Sequence, residues 1–506
     1  IAGLALAPAA SAKAACAAPN SSGGEWPMYG HDLANTRSQP YERSLGRAAA
    51  AGLSAAWVFS TARYGERSAF ETTPVLDGGC AFIGSSAGTV YAVNAATGAL
   101  VWKRQLSAPN PGLGGAIVGA AAVNGSGVIW LVNESGGPYA VALARSTGAV
   151  LWKSPPVIRQ SGYYTNASPL VANGLVAFGF SPAEGDPSGQ GGFALLSATT
   201  GQVVKVTPTV PPADQAQGFA GGGLWSTPAY DPSSGYLYWG SGNPNSKTKQ
   251  DPNTDAILKI DLNRSHPTFG QIVAAYPGNV DQYASALQTV SQTPACAVSD
   301  NANLPYPFDD PVCGQLDLDF GSAANLFTDS AGHELVGDLQ KAGVYHVAHA
   351  DTMVPAWAQN VGGPCQACNA ASPAFDGSAI DGVSTPGGAM FSLGRDGGAV
   401  NWLSPVADGL HYESISVADG VVYTVDNNGF LDAFDAATGS PLLRRQLTTD
   451  TGAPTGGGLT SNGVAIAEHT VFVAATSSGS AAPSTGGTSG APSTGSGAYV
   501  IAYRAG

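Results

Sequence analysis

Ala92-Val93-Asn94-Ala95-Ala96-Thr97-Gly98-Ala99-Leu100-Val101-Trp102 reads as a strand, a tight turn at Ala96-Thr97-Gly98 and a returning strand that carries an aromatic. Gly98 fits a turn position that needs positive φ. The unit recurs with variations. Residues 142–148 lead to Trp152, 194–201 to Val203-Val204, 344–352 to Trp357, 391–398 to Trp402 and 432–439 to Leu442-Leu443, and Leu258-Lys259-Ile260-Asp261 is a looser copy. A hairpin returning at intervals of roughly 40–60 residues marks a β-propeller, one copy per blade.

Seven copies lie inside the chain, and an eighth is split between its ends. Ala498-Tyr499-Val500-Ile501-Ala502-Tyr503 reads as one strand of that copy, and Leu53-Ser54-Ala55-Ala56-Trp57-Val58-Phe59 as its aromatic-bearing return. Pairing them closes the ring and removes exposed sheet edges. The expected fold is therefore all-β, an eight-bladed β-propeller closed by its N- and C-terminal strands. A propeller is one closed domain, so residues 15–506 are expected to form a single unit. A long irregular insertion is expected at about 266–313, and a Ser/Gly/Thr/Pro-rich loop at 476–497.

Charged residues make up 11% of the 506, and 68 are glycine, which suits a turn-rich all-β chain. The net charge of −14 argues against nucleic acid and anionic membrane surfaces as partners. No apolar run is long enough to span a bilayer. Residues 1–14 look like the tail of a secretory signal ending in Ala12-Lys13-Ala14. Six cysteines fit an oxidising, secreted or periplasmic setting. The expected pairs are Cys296 with Cys313 and Cys365 with Cys368; Cys16 and Cys80 remain, and the sequence leaves their pairing open. The letters of a nucleophile elbow, Gly84-Ser85-Ser86-Ala87-Gly88, fall in a strand-turn-strand context, where that motif has no catalytic meaning.

The leading segment, Glu25-Trp26-Pro27-Met28-Tyr29-Gly30-His31-Asp32-Leu33-Ala34-Asn35-Thr36-Arg37, is rich in aromatic and polar groups and is expected across the rim. Followed by the repeated strand-Thr-Gly-strand-Trp hairpin, it resembles the pyrroloquinoline quinone (PQQ) dehydrogenase family, in particular the secreted polyvinyl-alcohol-dehydrogenase-like members without a haem c domain. The resemblance runs from about Trp26 onward.

It implies a set of site residues. Glu71, before Pro74, would contact the quinone. Thr165 or Ser168 would supply a hydroxyl to a quinone oxygen. Trp225, after Gly221-Gly222-Gly223, would lie flat under the ring, a role that suits a large rigid π-face. Lys341, in Gly337-Asp338-Leu339-Gln340-Lys341, would bind the quinone oxygens, and Asn369 would contact the ring. Glu184, with Asp186 as a neighbouring competitor, Asn243 and Asp317 would hold a Ca²⁺ or, alternatively, a lanthanide ion. Asp317 would also take the proton from the alcohol. Asp319, two residues on, matches an extra carboxylate found in lanthanide-using relatives; a pair at i and i+2 on a strand points the same way.

The chain also departs from the family pattern. The stretch 112–119 lacks the adjacent cysteines and the arginine that often bind the cofactor there, and Val118 stands about where the arginine would be. Cys365-Gln366-Ala367-Cys368 is followed by Asn369, not the histidine of a haem attachment site. Reducing equivalents are then expected to leave to an external acceptor, a cytochrome or a dye. The expected activity is PQQ-dependent oxidation of an alcohol, with polymeric and sugar alcohols among the candidates. The competing expectation is a non-catalytic propeller acting as a binding scaffold.

Overall fold

The computed structural model describes residues 15–19, 21–107, 115–183, 186–246, 249–278, 318–362, 369–384, 389–406, 411, 413–426, 428–452, 455–456, 463–477 and 497–506. Eight antiparallel sheets stand round one axis, as the repeat predicts. Blade 1 runs from Val75–Asp77 at the hub through Cys80–Gly84 and Thr89–Asn94 to Leu100–Gln105 at the rim. The innermost strands of blades 2 to 7 are Ala122–Asn124, Leu170–Ala172, Ala229–Asp231, Asn325–Thr328, Ala374–Phe375 and Ser416–Ala418. Middle strands such as Gly127–Val132 and Leu175–Phe180 are buried along their whole length, which is why they read as apolar runs rather than alternating ones.

Blade 8 joins the two ends of the chain. Ala465–Ala467, Thr470–Ser477 and Ala498–Ala505 come from the C-terminal end, and Leu53–Ser60 closes the sheet from the N-terminal end. The closing pair is antiparallel, with Phe59 opposite Val500. Ala498 and its successors form the third strand of that blade.

The recurrent aromatic has a definite task. The third residue of the rim strand in blade 1 is Trp102, and its indole lies on the turn glycine of blade 2: a Cβ at Gly148 would sit 2.5 Å from the ring. The Trp102 Nε1–H donates to the Arg145 carbonyl at 2.9 Å. Trp57 on Gly98, Trp152 on Gly201 and Trp402 on Gly439 repeat the arrangement, each donating to a carbonyl of the next blade. Between blades 3 and 4 a lysine replaces the indole. The Lys205 stem covers Gly270 and its ammonium bonds the Phe269 carbonyl. Blade 4 docks on blade 5 from its second and third strands instead, through Tyr238 Oη and Lys259 Nζ to the Ala350 carbonyl.

The leading segment does not lie across the rim. It threads the hub and bonds seven blades in turn: Trp26 to Leu76, Pro27 to Val123, Leu33 to Tyr230, Ala34 to Leu326, Thr36 to Phe375, Arg37 to Val417 and Gln39 to Ile466. The reason is polar supply. Its carbonyls accept from amides of innermost strands that have no further strand to pair with, and its side chains donate to carbonyls there. Arg37 is fully buried and donates to the carbonyls of Tyr29, Ile415 and Val464 and to Ser416 Oγ, and burial lowers its pKa to about 10. The guanidinium also lies 4.7 Å from the Tyr29 ring centroid.

Two further expectations meet the structure here. Residues 266–277 are not part of an insertion, because Ile272–Pro277 is the rim strand of blade 4. Cys16 is bonded to Cys80, tying the N-terminal residues to blade 1. The pairs Cys296–Cys313 and Cys365–Cys368, residues 1–14 and most of 476–497 lie outside the described residues.

Gly148 has φ 68°, so Gly148→Ala combines backbone strain with a clash against Trp102. It is expected to cost about 1–3 kcal/mol and to lower Tm by several degrees in calorimetry, whereas Gly125→Ala, with open space at its Cβ, isolates the strain alone.

Candidate active site at the hub

Each innermost strand is entered by a connector from the preceding rim strand, so all eight connectors reach the hub at the same end of the wheel. The turns between second and third strands open on that end too. The residues singled out above occupy these two kinds of position. Thr165, Trp225, Asp319 and Asn369 lie on connectors, as does Glu71, while Asn243 and Lys341 follow second strands.

Asp319 joins three of the others. Its Oδ1 accepts the Asn243 backbone N–H at 2.7 Å, and its Oδ2 accepts the Trp225 Nε1–H at 3.0 Å. The Lys341 ammonium donates to the same Oδ2 at 3.2 Å and stands 5.1 Å from the centroid of the Trp225 ring. The Lys341 backbone is held as well, its N–H donating to the Asp319 carbonyl and its carbonyl accepting from Asn369 Nδ2. Lys341 and Asp319 are both buried, so this ion pair sits out of bulk water, where charges act over longer range. Lys341 lies in the turn of the hairpin formed by Glu334–Gln340 and Val344–His349. Trp225 has no room to slide, because a Cβ at Gly321 would lie 2.3 Å from its ring.

A second group lies on blades 1 to 3. Asn133 accepts the Thr165 N–H at 2.8 Å and donates to the carbonyls of Gly115 and Thr165. A Cβ at Gly115 would stand 3.3 Å from Glu71 Oε2. That oxygen and Thr165 Oγ1 are buried and have no hydrogen-bond partner among the described residues. Burial without a cation beside it pushes the Glu71 carboxyl up to about 8, so it is a neutral donor at neutral pH. Ser168 is different: its hydroxyl accepts the Ala120 N–H at 2.9 Å and holds blade 2 to blade 3. Of the two hydroxyls that sequence left open, Thr165 therefore has the uncommitted oxygen. Val118 is buried and apolar, so no cation replaces the family arginine there.

Several expectations are altered or left outside. Glu184 and Asp317 lie outside the described residues, and the other two proposed metal ligands, Asn243 and Asp319, touch each other. Among the described residues no group of three or more His, Cys, Asp or Glu is arranged to hold a metal. Leu318 to Gly321 are not a strand, so the i, i+2 argument for Asp317 and Asp319 does not apply. Ser85, from the elbow-like letters, is fully buried and accepts the Thr89 N–H, a turn contact.

Asn133, Ser322 and Asp338 were missed by sequence reasoning. Asp338 is buried behind Lys341, its carboxyl held well above the usual carboxylate range by burial. Ser322 Oγ donates to Asp338 Oδ1 and accepts the Leu339 N–H, tying the Asp319 connector to the strand that leads to Lys341. The one sequence signal was an aspartate inside an otherwise apolar strand.

The eight-bladed wheel is a fold shared with solved structures. The chain superimposes on quinohemoprotein alcohol dehydrogenase from Comamonas testosteroni with TM-score 0.70, at 17% identity over 95% of this chain and 80% of that one. On a europium-containing methanol dehydrogenase the TM-score is 0.71, at 16% identity over 96% and 98% of the two chains. A family model described as outer membrane protein assembly factor BamB matches residues 47–245.

By sequence the chain is similar to polyvinylalcohol dehydrogenase of Sphingopyxis sp. (strain 113P3), 24% identical over 440 residues, 78% of this chain and 64% of that protein. The chain is thus similar in sequence to polyvinylalcohol dehydrogenase and in fold to quinohemoprotein alcohol dehydrogenase, and it spans less than two thirds of the length of the curated relatives it matches.

The Glu71 carboxyl yields a prediction with a definite sign. Its folded pKa of about 8 exceeds the ordinary 4.5, so the folded state holds more protons between those values. That contribution to stability is complete below about pH 4.5 and is lost as pH rises through about 8. Glu71→Gln should remove the loss, so denaturant titrations at pH 5 and pH 9 should show the variant gaining on the parent by a few kcal/mol at the higher pH.

Proposed function

We propose that the protein is a quinoprotein dehydrogenase that oxidises an alcohol with PQQ bound at the hub. The observation that carries this reading is the Trp225–Asp319–Lys341 cluster: an indole face and a buried ammonium locked together by one carboxylate. Two orphaned oxygens, on Glu71 and Thr165, add donors for a flat polar ring.

The residues present fit such a group. Trp225 would fix the ring plane. Lys341 would stabilise negative charge developing on ring oxygens, an effect strengthened by its burial. Neutral Glu71 and Thr165 would donate to oxygens of the bound group, and Asn369 would hold the Lys341 turn in place. Asp317 would accept the alcohol proton. When bound, the quinone supplies the acceptor for the hydride that the alcohol gives up. Glu184, Asn243 and Asp317 would hold the metal, Ca²⁺ or a lanthanide, as Lewis acid. Asp319, already committed to three N–H donors, would serve as the counter-ion of Lys341 rather than as a full ligand. A polymeric alcohol is favoured by the similarity to polyvinylalcohol dehydrogenase, and electrons would pass to an external acceptor. An oxidising, secreted or periplasmic setting is consistent with the Cys16–Cys80 disulfide.

A second reading, a scaffold that binds no quinone, is favoured by Val118 at the arginine position. Titration with PQQ and Ca²⁺ or La³⁺, followed by dye-linked oxidation of poly(vinyl alcohol) and short secondary alcohols, separates the two. Saturable quinone binding with turnover is expected; absence of binding under both ions leaves the scaffold. Lys341→Ala should weaken quinone binding at least about tenfold, the worth of a charge-assisted hydrogen bond. Asp317→Asn should retain binding and lose turnover.

A further inference from the structure

The two-residue turns between first and second strands carry positive φ at both positions in four blades. Three of these turns end in glycine: Gly78-Gly79, Asn173-Gly174 and Asp419-Gly420. In blade 8 the same turn is Glu468-His469, with φ 51° and 61°. A histidine there carries backbone strain that its sister blades avoid, and strain of that kind collects at functional positions.

The His469 side chain is engaged on both nitrogens. Nδ1 lies 3.0 Å from Glu42 Oε1, and Nε2 lies 2.8 Å from Ser22 Oγ. Glu42 is buried and fixed: Oε1 accepts the N–H groups of Arg43 and Ser44 and the Ser44 hydroxyl, and these bonds with His469 hold its carboxyl below the usual range despite burial. An ionised carboxylate only accepts, so Nδ1 carries a proton, and in the neutral imidazole that is the ring's one N–H. That leaves the Nε2 lone pair facing the hydroxyl of Ser22, which is exposed. Ser44 Oγ, 2.9 Å from Nδ1, buttresses the ring from the carboxylate side. The next residue, Gly23, cannot carry a side chain, because its Cβ would lie 2.5 Å from the His469 backbone nitrogen. That close approach presses Ser22 against the imidazole. Three segments far apart in sequence thus present an exposed hydroxyl, an imidazole in the accepting tautomer and a buried orienting carboxylate. This is the order of groups that activates a serine nucleophile. They lie at the end of the wheel away from the hub connectors.

We propose that Ser22, His469 and Glu42 form an acyl-transfer site that hydrolyses small-acyl esters, such as acetate esters, presented from solvent. Ser22 Oγ attacks the carbonyl carbon while His469 Nε2 takes its proton. The carbon–oxygen bond to the alkoxy group breaks, and His469 returns the proton so that the alcohol leaves. Water, deprotonated by the same nitrogen, then attacks the acyl-serine; the acid departs and Ser22 is restored. Glu42 is the positioning residue. The step is redox-neutral, needs only water, and does not depend on the quinone reading.

The test uses the full chain. Diisopropyl fluorophosphate is expected to label Ser22, located by peptide mapping, and p-nitrophenyl acetate hydrolysis is expected to fall to the protein-free background in Ser22→Ala. His469→Gly relieves the turn, so it should keep or raise Tm while abolishing both signals. Glu42→Gln should slow labelling at least tenfold and Glu42→Asp restore part of it at equal Tm. No label on Ser22 of the folded protein, hydrolysis unchanged in Ser22→Ala, or a His469→Gly variant that loses Tm while the parent shows no hydrolysis would overturn the proposal, the last result reducing the cluster to a staple for the N-terminal segment.

Discussion

The wheel depends on an aromatic plate lying where a β-carbon is forbidden. Trp57, Trp102, Trp152, Trp357 and Trp402 each cover a turn glycine of the following blade, with ring atoms 2.4–2.6 Å from the position a side chain would take. The contact couples a local requirement, positive φ at Gly98, Gly148, Gly201, Gly398 and Gly439, to a long-range one, the angle between neighbouring sheets. Burying a large aromatic stabilises by a few kcal/mol, so the repeated contact governs how the blades are pitched round the axis. Where the plate is missing, other groups do the same work. Lys205 lays its methylene stem over Gly270, and Lys259 with Tyr238 grips Ala350.

That pitch decides what meets at the hub. Asp319 and Trp225 are 94 positions apart, and Asp319 and Asn243 are 76 apart, yet all three share hydrogen bonds because two connectors and one inter-strand turn of neighbouring blades open on the same end. The site thus inherits its precision from the sheets rather than from the loops, and Ser322 with Asp338 reinforces it from behind. Burial acts on two hub carboxyls in the same direction, holding Asp338 well above the usual carboxylate range and raising Glu71 to about 8.

The fold was legible because its signal is periodic. Thr-Gly followed by an aromatic or aliphatic strand repeats often enough for Ala498 and Leu53 to be matched as halves of one blade. Site residues were legible only through resemblance, since Trp225 and Lys341 taken singly look like core and surface. Their clustering depends on blade geometry that no local pattern carries. The path of residues 26–39 was misread for the same reason. Its aromatic and polar composition fits the rim as well as the hub, and only the unpaired amides of the innermost strands draw it inward. The i, i+2 argument at Asp319 failed because the residue lies on a connector, where alternation has no meaning. Nothing in the letters Glu468-His469 announces a strained turn; the comparison with Asn173-Gly174 and Asp419-Gly420 needs aligned blades.

The floor of the hub has a consequence for biogenesis. Residues 26–39 leave the ribosome well before their partners, since Gln39 and Arg37 find their acceptors at Ile466 and Val464, more than 400 positions later. A nascent chain therefore holds a buried-type arginine and two aromatic rings without their shelter until nearly the last blade exists. Assembly of the hub is therefore a late event, gated by the synthesis of the eighth blade.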